Sequence, residues 1–312
     1  MKTLYLITGG TGFLGSELTR CLSVKATIHT LGRSEGNSII CNLANEVPSF
    51  AHNYQTVVHN AGKAHITPRN KSEREDFFNV NYQGTLNLLA GIEKSTVLPK
   101  SFVLISTVAV YGAETGILLD EETPLNATDP YGLSKVKAEE AVLEWGKKHN
   151  VTIAILRLPL VAGPKPPGNL AKMLKAQRAG YYFQIGKGEA RRSMVCATDV
   201  ANIIPVVTLK GGIYNLTDQH HPSFAELALV FSQKLLTRPP YILPFGFAKI
   251  LATVGDIAKL ITQLNLPFSK QNLCKMTKSL TFSDDKAKIQ LHWEPHLVIN
   301  FFKDLPNTHF LK

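Results

Sequence analysis

Cysteine is scarce, tryptophan scarcer, and no stretch concentrates charge of one sign. The four cysteines, Cys21, Cys41, Cys196 and Cys274, lie far apart, with no CxxC pair and no histidine near them at metal-ligand spacing. Neither a disulfide framework nor a bound metal is therefore expected, and the thiols read as reduced core residues. Low-complexity tracts are absent too: 44% of the residues are hydrophobic and 19% charged, which excludes disordered and collagen-like classes. A chain of 312 residues buries a sizeable core, as one large domain or as two unequal lobes sharing a cleft. No secretory leader is visible, because Lys2 runs straight into Thr3–Thr8 and then into glycines, so a cytoplasmic protein is expected. The most apolar stretch, Phe245 to Phe268, is interrupted by Lys249, Asp256, Lys259 and Gln263, which argues against a transmembrane segment. It reads as an amphipathic helix packed on the core, with peripheral membrane contact as the alternative.

Acidic residues are outnumbered, 24 Asp and Glu against 34 Lys and Arg, and the resulting formal charge of +10 favours anionic ligands. The basic residues are spread along the chain and no nucleic-acid module is recognisable, so the expected partner is a phosphorylated metabolite and not nucleic acid.

Short β-branched runs alternate with helix-length segments through the first half: Leu4–Thr8, Thr27–Leu31, Thr56–His59, Phe102–Ser106 and Thr152–Leu156 read as strands. Buried strands separated by helices predict an α/β fold with a doubly wound parallel sheet of Rossmann type, since each crossover helix covers a sheet face. After Leu158 the character changes to Pro and Gly clusters, with helical segments near Asn169–Ala179, Ser223–Leu235 and Ala248–Leu264 and a short apolar run at Gly212–Leu216. The expected division is a cofactor-binding domain over 1–158, with a returning segment near 198–216, and a smaller, mostly helical substrate lobe over 159–312.

The first strand runs into Gly9-Gly10-Thr11-Gly12-Phe13-Leu14-Gly15 and then a helix. Glycines at a strand-to-helix turn let a pyrophosphate approach the backbone and the helix amino terminus, which is the chemistry of dinucleotide binding. Gly9, Thr11, Gly12, Phe13, Leu14 and Gly15 are the candidate contacts, with Asn60, Ala61, Gly62 and Pro159 completing the set. The second strand ends in Leu31-Gly32-Arg33-Ser34, with no acidic residue to hold the adenosine ribose, and Arg33 offers positive charge to a 2′-phosphate. NADP is therefore favoured over NAD; the alternative is that Arg33 stacks on adenine and NAD binds.

Downstream, Asp129 and Pro130 begin a helix that carries Tyr131 and Lys135 four residues apart on one face. A neighbouring ammonium is expected to lower the phenol's pKa and ready Tyr131 for proton exchange, with Lys135 also holding the nicotinamide ribose. Thr107, at the carboxyl end of a strand, supplies a hydroxyl where open α/β sheets place ligands. Together these residues resemble the extended short-chain dehydrogenases of the nucleotide-sugar epimerase, dehydratase and reductase family. The resemblance implies that Thr107, Tyr131 and Lys135 are catalytic and that Asn81, in Asn81-Tyr82-Gln83-Gly84, supports their network; a helix cap is the alternative for Asn81. It further implies that Asn169 and Arg192, like Thr107, contact the substrate, a nucleotide-diphosphate sugar, and that Leu291-His292-Trp293 is a packing element.

Two departures from the family pattern matter. Dehydratases of this kind carry Asp-Glu after the strand-end threonine, where Val108 and Ala109 stand here, so dehydration is disfavoured. Cys196 replaces a histidine common among relatives. A 4-keto-sugar reductase and a 4-epimerase both remain, with NADPH selection tilting toward the reductase; a non-catalytic NADP-sensing regulator and a reductase of apolar alcohols or ketones are further alternatives. A homodimer is common among such relatives and stays open here.

Overall fold

The structure, a computed structural model, describes residues 3–64, 66–262 and 269–306, with only the backbone of 257–262. Thr3–Thr8 (β1), Ala26–Gly32 (β2), Ile39–Ile40 (β3), Thr56–His59 (β4) and Ser101–Thr107 (β5) enter the central sheet in turn. Gly116–Leu119 (β6) lies outside it, Thr152–Leu158 (β7) rejoins it, and Leu160–Ala162 (β8), Phe183–Ile185 (β9) and Met194–Cys196 (β10) stand apart. Gly212–Asn215 (β11) returns beside β7, giving the seven-stranded order β11-β7-β5-β4-β1-β2-β3 with every neighbour parallel. The winding reverses between β1 and β4. That reversal opens a crevice at the carboxyl ends of the strands, the place where open α/β sheets bind ligands.

Consecutive strand residues point to opposite faces, and the two cores follow that alternation. Ile7, Val58 and Val103 pack with Leu14, Leu18 and Leu22 of Phe13–Leu22 (α1). On the other face, Leu6, Val57 and Leu104 pack beneath Leu88 and Leu89, and beneath Val142 and Trp145. After Lys71–Phe77 (α2), those four residues come from Gly84–Glu93 (α3) and Pro130–His149 (α4). Both faces of β5 are thus dry, and all seven of its residues are buried. Gly168–Arg178 (α5) belongs to the second half of the chain, while Ala197–Lys210 (α6) lies beside α1, with Val200 and Ile204 in the first core.

The remaining elements are Phe224–Leu235 (α7), Tyr241–Leu243 (β12), Phe245–Thr262 (α8), Lys270–Thr277 (α9), Leu280–Phe282 (β13), Asp285–Leu291 (α10) and Val298–Asp304 (α11). Leu170 and Met173 of α5, Leu227 and Phe231 of α7 and Phe302 of α11 share a third core. Helices dominate this half, but three short parallel ladders, β8–β10, β9–β12 and β6–β13, accompany them. Strands of two to four residues show too little alternation to be read from sequence. The expected helix over Ala248–Leu264 begins three residues earlier, after Pro244, and Gln263, Leu264 and Phe268 lie outside the described residues. Leu291 and Trp293 are buried as expected, with the indole donating to the Thr217 carbonyl at 3.0 Å and to Asp284 at 3.1 Å. All four cysteines are free; Cys41 and Cys196 are buried, Cys21 is partly buried against the first core, and Cys274 is partly exposed. Among the described residues no helix is long and apolar enough to cross a membrane.

Under the carboxyl end of the sheet, Glu139 of α4 and Arg157 of β7 form a fully buried ion pair at 2.7 Å. The Glu139 carboxylate also accepts from Ser106 Oγ at 2.5 Å, and Arg157 donates to the Tyr111 hydroxyl at 3.0 Å, which donates to Asn215 at 2.8 Å. The network ties α4, β5, β7 and β11 together. Glu139→Ala, which strands a buried guanidinium, is expected to cost about 3–5 kcal/mol in urea denaturation. The double variant Glu139→Leu/Arg157→Met should cost much less, and a single-variant loss near zero would contradict this account.

Candidate functional site

The turn after β1 is held by its glycines for two different reasons. A Cβ on Gly15 would fall 1.9 Å from the Gly9 carbonyl oxygen, so that position is closed to any side chain by packing alone. Gly12 adopts φ −75°, which any residue tolerates, and a Cβ there would meet only the Gly9 carbonyl oxygen, at 3.3 Å. Packing does not require glycine at 12, and the space above it is open to a ligand. The amino terminus of α1 carries no side-chain cap and no acidic residue in its first turn, leaving N–H groups available to an anion. These features fit a dinucleotide pyrophosphate. Of the remaining turn residues, Thr11 is exposed, Phe13 is half-buried, and Leu14 points into the core, so Leu14 offers a ligand only its backbone.

Asn60 and Ala61, after β4, donate their backbone N–H groups to Thr8 Oγ1 at 3.1 and 3.0 Å, and the Asn60 amide donates to the Gly9 carbonyl. Thr8 Oγ1 also meets His59 Nδ1 at 2.7 Å, while His59 Nε2 meets Thr85 Oγ1 at 2.9 Å. Thr85 spends its own proton on the Asn81 carbonyl at 2.6 Å. Only one pattern satisfies all four groups: Nε2 donates to Thr85, and Nδ1 accepts from Thr8. His59 is thus a neutral imidazole, and burial holds its pKa down to about 3, with Lys135 adding to the effect.

Asn81 lies inside a π-helical turn, Phe78–Gln83, between α2 and α3, and so is not a helix cap. Its buried amide accepts from the Lys63 N–H at 2.7 Å and donates to the Lys63 carbonyl at 3.1 Å and to Ser134 Oγ at 2.9 Å. Asn81 therefore fastens the strand end after β4 to α4. A Cβ on Gly62 would lie 3.1 Å from Asn81 Oδ1 and 3.8 Å from Lys135 Nζ, which brings Gly62, Asn81 and Lys135 to one spot.

Tyr131 sits in the first turn of α4, where Asp129 caps the helix by accepting from the N–H groups of Tyr131 and Gly132 and Pro130 presets the backbone. The Thr107 side chain, which accepts from the Ala109 N–H at 3.2 Å, lies near enough to act on the phenol's pKa, so the end of β5 and the start of α4 face each other here. The expected lowering of the Tyr131 pKa is not what the structure shows: burial pushes it up, the Thr107 side chain opposes this, and Asp129 adds to the rise. Lys135 donates to the Ile105 carbonyl at 2.6 Å, and burial, against the pull of Glu139, brings its own pKa down to about 8.

The other predicted contacts are spread wider. Pro159 is half-buried between β7 and β8, and Arg33 is exposed one residue past β2. Asn169 is exposed in the first turn of α5. Arg192 donates to the carbonyls of Lys278 at 2.6 Å and Arg191 at 2.9 Å, and to that of Lys275. Its guanidinium also covers the Phe224 ring. In this arrangement it clamps the end of α9. Sequence reasoning missed Ser134, His59, Thr8 and Glu139; for Glu139 a signal existed, because it lies four residues beyond Lys135 on the same helix face.

The sequence model of the NAD dependent epimerase/dehydratase family matches residues 5–216. A UDP-glucose 4-epimerase of Vibrio cholerae is 28% identical over 300 residues, covering 88% of this chain and 90% of that protein. Among solved structures, the Thermus thermophilus UDP-glucose 4-epimerase in complex with NAD superposes with a TM-score of 0.71 at 20% identity, covering 99% of each chain. The human epimerase family protein SDR39U1 with NADPH gives 0.69 at 20% identity, covering 97% of this chain and 98% of its own.

The neutral His59 generates a pH prediction. Its folded pKa, about 3, lies below its ordinary value of about 6.5, so its contribution to stability is complete above pH 6.5 and is lost as pH falls below it. Urea denaturation should show stability dropping by up to about 1.4 kcal/mol per pH unit from this one group. His59→Gln should remove that part of the slope, and an identical slope in the variant would rule His59 out as its source.

Proposed function

We propose, on the premise that this chain belongs to the NAD dependent epimerase/dehydratase family, that it is an NAD(P)-dependent oxidoreductase acting at a sugar carbon, C4, of a nucleotide-diphosphate sugar. The observation that carries the reading is the convergence of Thr107, at the end of β5, with the Tyr131 phenol at the start of α4, Thr107 lying near enough to act on the phenol's pKa, with Lys135 one helical turn away. A bound nicotinamide would supply or accept the hydride. The chain's own part is the proton: Tyr131 Oη exchanges it with the C4 oxygen, while Thr107 Oγ1 hydrogen-bonds that same oxygen and fixes its position. Gly12 and the amino terminus of α1 receive the pyrophosphate, Lys135 the nicotinamide ribose, and Asn169 and Arg192 the nucleotide-diphosphate, for which Arg192 exchanges backbone carbonyls for phosphate oxygens. Val108 and Ala109 offer no acid or base for expelling water, which speaks against dehydration.

The 4-epimerase reading is supported by the Vibrio relative, which aligns along nearly the whole chain. The 4-keto-sugar reductase is kept as a second reading on one observation: Arg33 is exposed just past β2, where a 2′-phosphate of NADPH would lie.

Tyr131→Phe should lower turnover at least about a hundredfold and leave cofactor affinity within about twofold, since only the transferable proton is removed. Unchanged turnover would reject the mechanism. With UDP-, GDP- and dTDP-sugars, interconversion without net cofactor consumption identifies the epimerase, and stoichiometric loss of NADPH on a 4-keto sugar identifies the reductase; neither outcome with any of them would sink the proposal. Arg33→Ala should weaken NADP about tenfold more than NAD, and equal weakening would remove Arg33 as the selector.

A further inference from the structure

Helix α8 is inside out. Its inward positions are small, with Ala248 and Ala252 fully buried, whereas Phe245, Phe247, Ile250 and Val254 are 52–61% exposed. Phe247, Ile250 and Val254 follow one another at spacings of three and four and so share a face. A helix that meets water has the opposite arrangement. The apolar surface continues through Pro244 into β12, where Tyr241 and Ile242 are exposed, and across the ladder to Phe183, whose ring centre lies 6.3 Å from that of Tyr241.

The segments that carry this surface are predominantly basic. Residues 165–189 and 226–256 contain three acidic residues, Glu189, Glu226 and Asp256, against eight Lys or Arg. Two of these, Arg178 and Arg238, are exposed and line a cavity of about 350 Å³ together with Tyr182 and Tyr241. Two of the residues that line it, Gln177 and Thr237, each have a buried side-chain oxygen without a hydrogen-bond partner, Oε1 and Oγ1. Two exposed guanidinium groups on the lining of one cavity match a ligand that carries phosphate.

We propose that this face docks on an anionic phospholipid surface, with the outward side chains of α8 in the interface and a headgroup phosphate at Arg178 and Arg238. Lying on the bilayer suits a helix too polar to cross it. Aromatic and aliphatic anchors enter the headgroup region while the basic residues meet its negative potential. A second copy of the chain is the wrong occupant, because a symmetric contact would set one basic surface against another.

The test uses the full chain and flotation with vesicles of equal parts phosphatidylglycerol and phosphatidylcholine, or of phosphatidylcholine alone. Wild-type protein should float with the anionic vesicles, less so at high salt, and not with the neutral ones. Phe247→Ser/Ile250→Ser should weaken flotation at least about tenfold, and Arg178→Gln/Arg238→Gln should abolish its dependence on phosphatidylglycerol, both with cofactor binding retained. As a second readout, Phe247→Trp should show a blue shift of its emission on adding anionic vesicles, against the buried Trp145 and Trp293. The proposal is overturned by an absence of flotation, by equal flotation of the variants, by an unshifted Trp emission, or by a lipid-free dimer that the patch variants convert to monomer.

Discussion

The buried pair of Glu139 and Arg157 is the constraint on which the rest of the site depends. Two charges taken out of water survive only when each is answered, and here the carboxylate is answered by the guanidinium and by Ser106, immediately before Thr107. Glu139 stands one helical turn beyond Lys135, which is itself one turn beyond Tyr131. A single buried network therefore sets the height and rotation of α4 against β5. That registry brings the Thr107 hydroxyl to the Tyr131 phenol.

On the other side of the crevice the corresponding fastening is neutral. Thr8, His59, Thr85 and Asn81 form a chain of hydrogen bonds in which each polar group has one assigned role, linking β1, β4 and the π-helical turn. Asn81 extends it to Lys63 and Ser134, and so to α4. The glycine turn and the tyrosine helix are thereby locked to one frame from two directions, before any ligand arrives. Pre-positioning of this kind is what proton exchange needs, since its rate falls steeply when donor and acceptor are out of reach.

The electrostatics of the site come from burial more than from neighbouring charges. A lysine four residues after a tyrosine predicts a lowered phenol pKa when only the spacing is known. In the folded chain the ammonium donates to the Ile105 carbonyl, and removal of water moves the phenol up, with Asp129 adding to the rise, and moves the ammonium down against the pull of Glu139. Arg192 also has partners that the sequence did not announce. The guanidinium fork that suits a diphosphate is satisfied by carbonyls at the end of α9 some eighty residues along the chain, a partner that local spacing could not announce.

What the sequence determined by itself was whatever depends on neighbours along the chain: the alternation that makes the strands, the glycine spacing of the turn, the Asp129–Pro130 start of α4, and the four-residue interval that puts Tyr131 and Lys135 on one face. What only the tertiary structure decided was whatever depends on residues far apart meeting. His59 is neutral because Thr8 and Thr85 close on it, Glu139 is buried with Arg157 of β7, and α8 buries Ala248 and Ala252 while Phe247, Ile250 and Val254 face outward. Periodicity shows that a helix has two faces. Which of them the rest of the chain covers is settled only when the whole chain has packed.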